Sequence, residues 1–277
     1  MRVSFVSDIH GNIDGLAEVA RDAETLVVLG DLLDYVDYHD PSAGILGEVF
    51  GADNVLAFSE LRSIGDFAGL HRLNTALWET IADPVGTLNE VVDRRYRRAF
   101  AALARADSTP LLILGNVDVL DVWQQVAGDE LPSLDGRVVD VHGSRFGFVG
   151  GGASRIRPAP PAAAVPTAVP VPSMARAWRP YVRQAPEYAE SVAALGAVDV
   201  LCSHMPPKLA PLRYDLVPAR LEMFGPGLLE SVDAHHPWLA VFGHVHQPLA
   251  MRMRRGTTEC VNVGHFARHA RAFEIQL

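Results

Sequence analysis

The sequence predicts a layered α/β fold, and three observations carry that expectation. Seven short runs of four or five residues, rich in Val, Leu and Phe, recur along the 277 residues. Their length and composition suit strands buried on both faces. Helical spacing of apolar residues lies between several of them, and strands alternating with helices build sheets covered by helices. With 49% hydrophobic and 21% charged residues the chain can bury a full core, which excludes a disordered chain and a disulfide-stapled mini-protein.

Taken in order, the run over residues 3–6 is followed by helical periodicity over Ile13–Asp22. After the second run, residues 26–29, the alternation stops. Residues 35–109 are far longer than a connection between a strand and the next helix, so they must hold structure of their own. There Ile64, Phe67, Leu70, Leu73, Leu77 and Ile81 recur at helical spacing, and Thr87 with Glu90 reads as a capping box ahead of Leu88, Val92, Phe100 and Leu103. Two helices forming a cap or side lobe within a single domain, 1–277, are expected. Strands follow over 111–114, 146–149, 198–202, 239–242 and 260–263, with a helix over 187–195. Residues 155–172 hold six prolines and five alanines and read as an extended surface loop.

The formal charge of -9 argues against a protein that coats nucleic acid or an anionic membrane. The longest uncharged stretch, residues 158–175, is interrupted by six prolines and cannot form a membrane helix. Cys202 and Cys260 sit in strand-like runs, where buried reduced thiols are expected. With no leader pattern ahead of Val3, a cytoplasmic address follows. No signal fixes an oligomeric state.

Function is written at the ends of the strands. Residues 3–6 lead to Asp8-Ile9-His10, 26–29 to Gly30-Asp31, 111–114 to Gly115-Asn116, 198–202 to Ser203-His204, and 239–242 to Gly243-His244-Val245-His246. The C-terminal edge of an α/β sheet is where ligands bind, so five distant loops can meet at one site. In extended backbone, residues i and i+2 point to one side, which aims Asp8 with His10 and His244 with His246. Glycines at 30, 115 and 243 permit sharp turns and close approach. A lone Asp or Asn after a strand is usually a turn former or cap, and a lone His usually a surface or core residue. Five matches in succession favour a metal site. Seven ligand candidates, Asp8, His10, Asp31, Asn116, His204, His244 and His246, exceed one four-coordinate site, and two ions sharing a carboxylate use them all.

These blocks resemble the calcineurin-like metallophosphoesterases: Asp8-Ile9-His10, Gly30-Asp31-Leu32-Leu33-Asp34, Gly115-Asn116-Val117-Asp118, Ser203-His204 and Gly243-His244-Val245-His246 occur in the family order. The resemblance implies a four-layer sandwich of two mixed β-sheets flanked by α-helices. It assigns Asp8, His10, Asp31 and His246 to one ion and Asp31, Asn116, His204 and His244 to the other, with Asp31 bridging. Oxygen and imidazole donors without thiolate suit Mn, Fe or Zn. The activity implied is hydrolysis of a phosphoester, in a small molecule or nucleotide, by a metal-bridging hydroxide.

One position departs from the pattern. The family usually has His after the motif Asn, where this chain has Val117, which can neither donate a proton nor bind a phosphate oxygen. Phosphodiesters are therefore expected as substrates ahead of monoesters. Asp118 is either a group at the reacting centre or only a loop capper, and His265, after Asn262-Val263-Gly264, is the candidate replacement acid. Asn12 lines the site or caps a helix, Asp34 supports a ligand or solvates a loop, and His71 lies on the surface. Arg94, Arg95, Arg97 and Arg98 form either a solvated face or an anion contact. The rival class is a metal-binding scaffold with little activity, against which the complete ligand set argues; a protein phosphatase is disfavoured by the missing His.

Overall fold

The computed structural model describes residues 1–154, 178–216, 219–221 and 223–277, so the loop expected over 155–172 lies outside the described residues. The chain divides into two compact units, the second holding most of the residues expected to form a cap or side lobe. The first holds Met1–Leu33, residues 96–154 and Pro180–Leu277; the second holds Asp34–Arg95 with residues 178–179.

The strands of the first unit are β1 Arg2–Val6, β2 Thr25–Val28, β3 Leu111–Leu112, β4 Val138–Val141, β5 Ser144–Val149, β6 Gly152–Ser154, β7 Val182–Gln184, β8 Val200–Ser203, β9 Tyr214–Leu216, β10 Ala219–Leu221, β11 Leu239–Phe242, β12 Arg252–Arg255, β13 Thr258–Asn262 and β14 Phe273–Gln276. One sheet has the order β14-β1-β2-β3 and the other β12-β13-β11-β8-β5-β4. Both are mixed. β1, β2 and β3 run parallel with β14 antiparallel, while β5, β8, β11 and β13 run parallel between antiparallel edges β4 and β12.

The two sheets share one apolar layer. Val3, Phe5, Val27, Leu29 and Ile113 of the first pack with Phe146, Phe148, Val200, Cys202, Val241 and Val261 of the second, all nearly inaccessible. The alternate residues of the larger sheet, among them Val149, Leu201, Ala240, Phe242 and Cys260, face Tyr188, Val192, Leu195, Leu228 and Val232 of two helices. A sheet buried on both faces is why these strands read as uninterrupted apolar runs. The result is the α/β sandwich of two mixed sheets flanked by helices. No helix among the described residues is long and apolar enough to cross a membrane.

The helices are α1 Ile13–Asp22, α2 Ile45–Phe50, α3 Ala52–Ser63, α4 Phe67–Glu79, α5 Pro84–Leu103, α6 Leu120–Ala127, α7 Ala185–Ala194, α8 Ala210–Arg213, α9 Leu228–His235 and α10 Phe266–His269. The expectation of two helices in 35–109 is therefore too few: α2, α3, α4 and α5 all fall there. Leu70, Leu73 and Leu77 of α4 do share a face, packed on Leu46, Val55 and Phe58. The expected capping box does not form. Asp83 accepts from the Gly86 N–H at 2.9 Å and Pro84 opens α5, so Thr87 and Glu90 lie inside the helix. In this second unit Trp78 Nε1–H donates to the Tyr35 hydroxyl at 2.8 Å, which itself donates to Asn74 at 2.7 Å. Burial pushes the Tyr35 hydroxyl up to about 12.

The end of α5 belongs to the first unit. Tyr96, fully buried, accepts the Val119 N–H at 2.7 Å and donates to Asp118 Oδ1 at 3.2 Å. Tyr96→Phe leaves the Val119 N–H unpaired in the interior, so it should cost about 1–3 kcal/mol. Urea unfolding checks this, and an unchanged midpoint would mean that water replaces the hydroxyl.

Candidate metal centre

Three parallel strands of each sheet deliver functional groups in the loops beyond their last residues. Asp8 and His10 follow β1, Asp31 follows β2, Asn116 follows β3, His204 follows β8, His244 and His246 follow β11, and His265 follows β13. The loops are cross-braced by backbone bonds: Asp8 and His10 N–H donate to the Gly30 and Asp31 carbonyls, and Gly243 N–H to His204.

The local geometry differs from the extended i, i+2 arrangement the sequence suggested. Asp8, His10, Asp31 and His244 lie at φ 58°, 40°, 55° and 68°, in left-handed backbone that L residues adopt at a cost. Together they are four of the seven non-glycine residues with positive φ among the described residues. Strain of this kind clusters where side chains must be aimed. Glycine is required beside them, because a Cβ on Gly115 would fall 2.1 Å from Asp31 Oδ1 and one on Gly243 2.3 Å from Asp8 Oδ2.

Seven side chains converge in two overlapping groups. In the first, His10 Nε2 lies 3.0 Å from His246 Nε2 and 3.8 Å from both Asp8 Oδ1 and Asp31 Oδ2, and His246 Nε2 lies 3.3 Å from Asp8 Oδ1. In the second, His204 Nε2 lies 3.4 Å from Asp31 Oδ2 and 2.9 Å from Asn116 Oδ1, which is 2.7 Å from His244 Nδ1. Asp31 Oδ2 is common to both. Its Oδ1 accepts the Val117 N–H at 3.0 Å, while the Asp8 carboxylate accepts the His244 N–H at 2.9 Å.

The donor set fits metal ions. His10 and His204 each present Nδ1 to a carbonyl, Leu33 O at 2.9 Å and Leu29 O at 2.8 Å, which places the ring proton there and leaves a lone pair on Nε2. Those lone pairs face carboxylate and amide oxygens, acceptors against acceptors, a convergence that a cation or added protons can satisfy. Donors around an ion at about 2.1 Å stand about 3–3.5 Å apart, and the separations in the two groups run from 2.7 to 3.8 Å around that range. His244 Nε2 is buried without a hydrogen-bond partner among the described residues, so no second bond dictates which proton its Nδ1 carries.

Electrostatics follow from crowding. Burial raises the Asp8 carboxyl, but the His246 contact and the charges of His246, His204 and His10 outweigh it and hold Asp8 far below the usual range. Asp31 is likewise lowered, against its burial, by His204 and His10. Burial works against charge on His204, yet Asp31 and Asp8 carry it up to about 9, and Asp8 raises His246 in the same way. Burial and then His204 depress His244 to about 4.

Two of the expected catalytic residues take different places. Asp118 does not face the donor cluster: fully buried, it accepts from the Gly115 N–H at 2.8 Å, the Leu32 N–H at 3.1 Å and the Leu33 N–H at 3.2 Å. Of its two readings these bonds match the loop capper, a clamp holding the Asp31 and Asn116 loops together. His265 does reach the edge of the site, its ring stacked on His246 at 3.9 Å and edge-on to His10 at 5.6 Å. Burial, with His246 and His10, depresses it to about 3, so at neutral pH it is a neutral hydrogen-bonding group and a poor proton donor.

Asn12 caps α1 through the Gly15 N–H at 3.1 Å and donates to Ala267 O at 3.2 Å. Arg94 and Arg95 are not held ready for an anion as one reading allowed: both pair with Glu48, and Arg95 also donates to Ala43 O at 2.6 Å. His71 is exposed, and the Asp34 carbonyl accepts the Ile45 N–H at 2.9 Å. Residues missed by sequence reading include Tyr96, whose partner Asp118 is 22 residues away.

No family model matches the chain, and no curated protein matches it in sequence. Solved structures resemble it in fold. The crystal structure of TT1561 of Thermus thermophilus matches with a TM-score of 0.54 over 99% of this chain and 98% of that one, at 12% identity. A second solved structure matches with a TM-score of 0.56 over 96% and 91% of the two chains, at 15% identity. At such identities the likeness is one of fold.

Proposed function

We propose that this chain is a dinuclear metal-dependent phosphoesterase of the calcineurin-like kind, acting on phosphodiesters in preference to monoesters. The observation that carries the reading is the pair of donor groups sharing Asp31 Oδ2, with the Nε2 atoms of His10, His204 and His246 aimed inward at separations of 2.9–3.8 Å. When bound, two ions of Mn, Fe or Zn would supply an acidified water and a clamp on the phosphoryl oxygens. The protein's own groups hold that arrangement. Leu33 O and Leu29 O fix the tautomers of His10 and His204, Asp118 ties the Asp31 loop to the Asn116 loop, and His265 offers a neutral imidazole at the rim. Val117 places no acid beside the leaving group, which favours diesters whose leaving groups need no proton. The alternative, a metal-binding scaffold, has no use for a rim imidazole beside a full ligand set.

The test is elemental analysis of protein loaded with Mn, Fe or Zn, followed by assay on a bis-aryl phosphodiester. Two ions per chain and metal-dependent turnover are expected. Two ions without turnover on any diester would favour the scaffold.

Metal uptake should be coupled to proton release. In the metal-free protein His204 holds its proton up to about 9, and an ion requires the neutral ring. Affinity should therefore rise with pH between 6 and 9, by about tenfold per unit for each proton displaced. Titration calorimetry in buffers of different ionisation enthalpy measures the protons, and a pH-independent affinity would contradict the raised value.

A further inference from the structure

Asn116 is the one neutral oxygen donor among the seven, and it is held from behind. A Cβ on Gly152 would lie 2.7 Å from the Asn116 Cβ, so these two residues are already in tight contact. The segment 150–152 that makes this contact is anchored on several bonds. Gly151 N–H donates to Leu114 O at 2.7 Å and Gly152 N–H to Tyr181 O at 2.8 Å, while Tyr181 N–H donates to Asp118 O at 2.7 Å.

A largely buried ion pair completes the anchor. Asp135 and Arg183 side chains are 13% and 10% exposed, and Arg183 Nη1 lies 3.2 Å from Asp135 Oδ2. Both grip Gly150: its N–H donates to Asp135 Oδ1 at 2.6 Å, and its carbonyl accepts from Arg183 Nη2 at 2.6 Å. Arg183 also donates to Ser191 Oγ at 2.8 Å, the Tyr181 hydroxyl donates to Asp135, and the guanidinium lies 5.4 Å and 4.8 Å from the Tyr181 and Tyr188 ring centroids. A planar fork that bonds a carboxylate and a carbonyl at once sets a position more sharply than a single charge could.

We infer that Arg183, with Asp135 and Tyr181, is a positioning group for the second metal site, acting through Gly150 and Gly152 to hold Asn116 Oδ1 between His204 and His244. The inference rests on the two-ion reading given above. Removing the fork frees segment 150–152 and lets Asn116 move, while Asp8, His10 and His246 keep their own braces. Loss should fall on the second ion alone.

Stepwise Mn titration by calorimetry, with electron paramagnetic resonance to distinguish coupled from isolated ions, tests this on the full chain. His204→Ala supplies the reference for a protein lacking the second ion. Arg183→Met should weaken the second binding step by about 10–100-fold, the usual effect of groups that orient ligands, with the first step unchanged. Arg183→Lys, which keeps the charge without the fork, should fall between, and it decides the matter should Arg183→Met fail to fold. Gly152→Ala, which wedges Asn116 with the ion pair intact, should reproduce the selective loss. Wild-type binding of both ions by the Arg183 variants, or equal loss of both steps in Gly152→Ala, overturns the inference. Wild-type protein that binds fewer than two ions overturns the two-ion reading itself.

Discussion

Asp31→Asn is expected to abolish hydrolysis of an aryl phosphodiester and to lower the occupancy of both ions together. The carboxylate has two unlike oxygens: Oδ1 accepts the Val117 N–H at 3.0 Å, while Oδ2 faces His10 at 3.8 Å and His204 at 3.4 Å. In the amide the oxygen stays with the Val117 N–H, which turns the NH₂ group toward the two imidazoles. That group can donate but cannot ligate, and the charge that holds the site together is gone. The loss should exceed the ~10²-fold typical of removing a group that only orients a ligand. Metal analysis of purified variant and wild type, alongside initial rates, measures it. Depletion of one ion with the other retained would show that Asp31 serves a single site.

The second large effect concerns Val117. Aryl diesters with acidic phenols should be cleaved far faster than alkyl diesters, because a stabilised leaving group departs without a proton. Val117→His should then raise the rate on poor leaving groups by up to ~10²-fold, the low end of general acid catalysis, and change the rate on good ones little. Asp118 will not orient the new ring, since its carboxylate already accepts from Gly115, Leu32, Leu33 and Tyr96. Rates across phenols of graded acidity give the slope. A flat slope in the wild type would mean that a proton donor is already present, with His265 the group to remove next.

The sequence made the centre of the fold legible and left its borders unread, for a physical reason. β1, β2, β8, β11 and β13 are interior strands whose residues are almost all buried, so they appear as apolar runs. Edge strands carry the opposite signal. β12 is Arg-Met-Arg-Arg, with Arg252 paired to Glu259 and Arg255 to Asp233, and β4 leaves Val138 and Asp140 exposed. In the second unit α2 is too short for periodicity, and α3 buries Val55 and Phe58 while exposing Leu56. The candidate ligands were legible because each stands next to a strand end. The partners of Asp118 and the place of Arg183 were not, because Leu32 and Asp135 lie 86 and 48 residues from them.

The left-handed backbone at Asp8, His10, Asp31 and His244 has an evolutionary corollary. Each such position costs on the order of 1 kcal/mol relative to glycine, which takes the same conformation freely. Glycine at any of them would relieve that strain, but at Asp31 and Asp8 it would also leave the Val117 and His244 N–H groups without their carboxylate partners. Were the side chains used for a metal site, selection would have to hold four strained Asp and His residues in place together. A descendant that had become a pure scaffold would be recognised by relaxation at these positions before any change in its core.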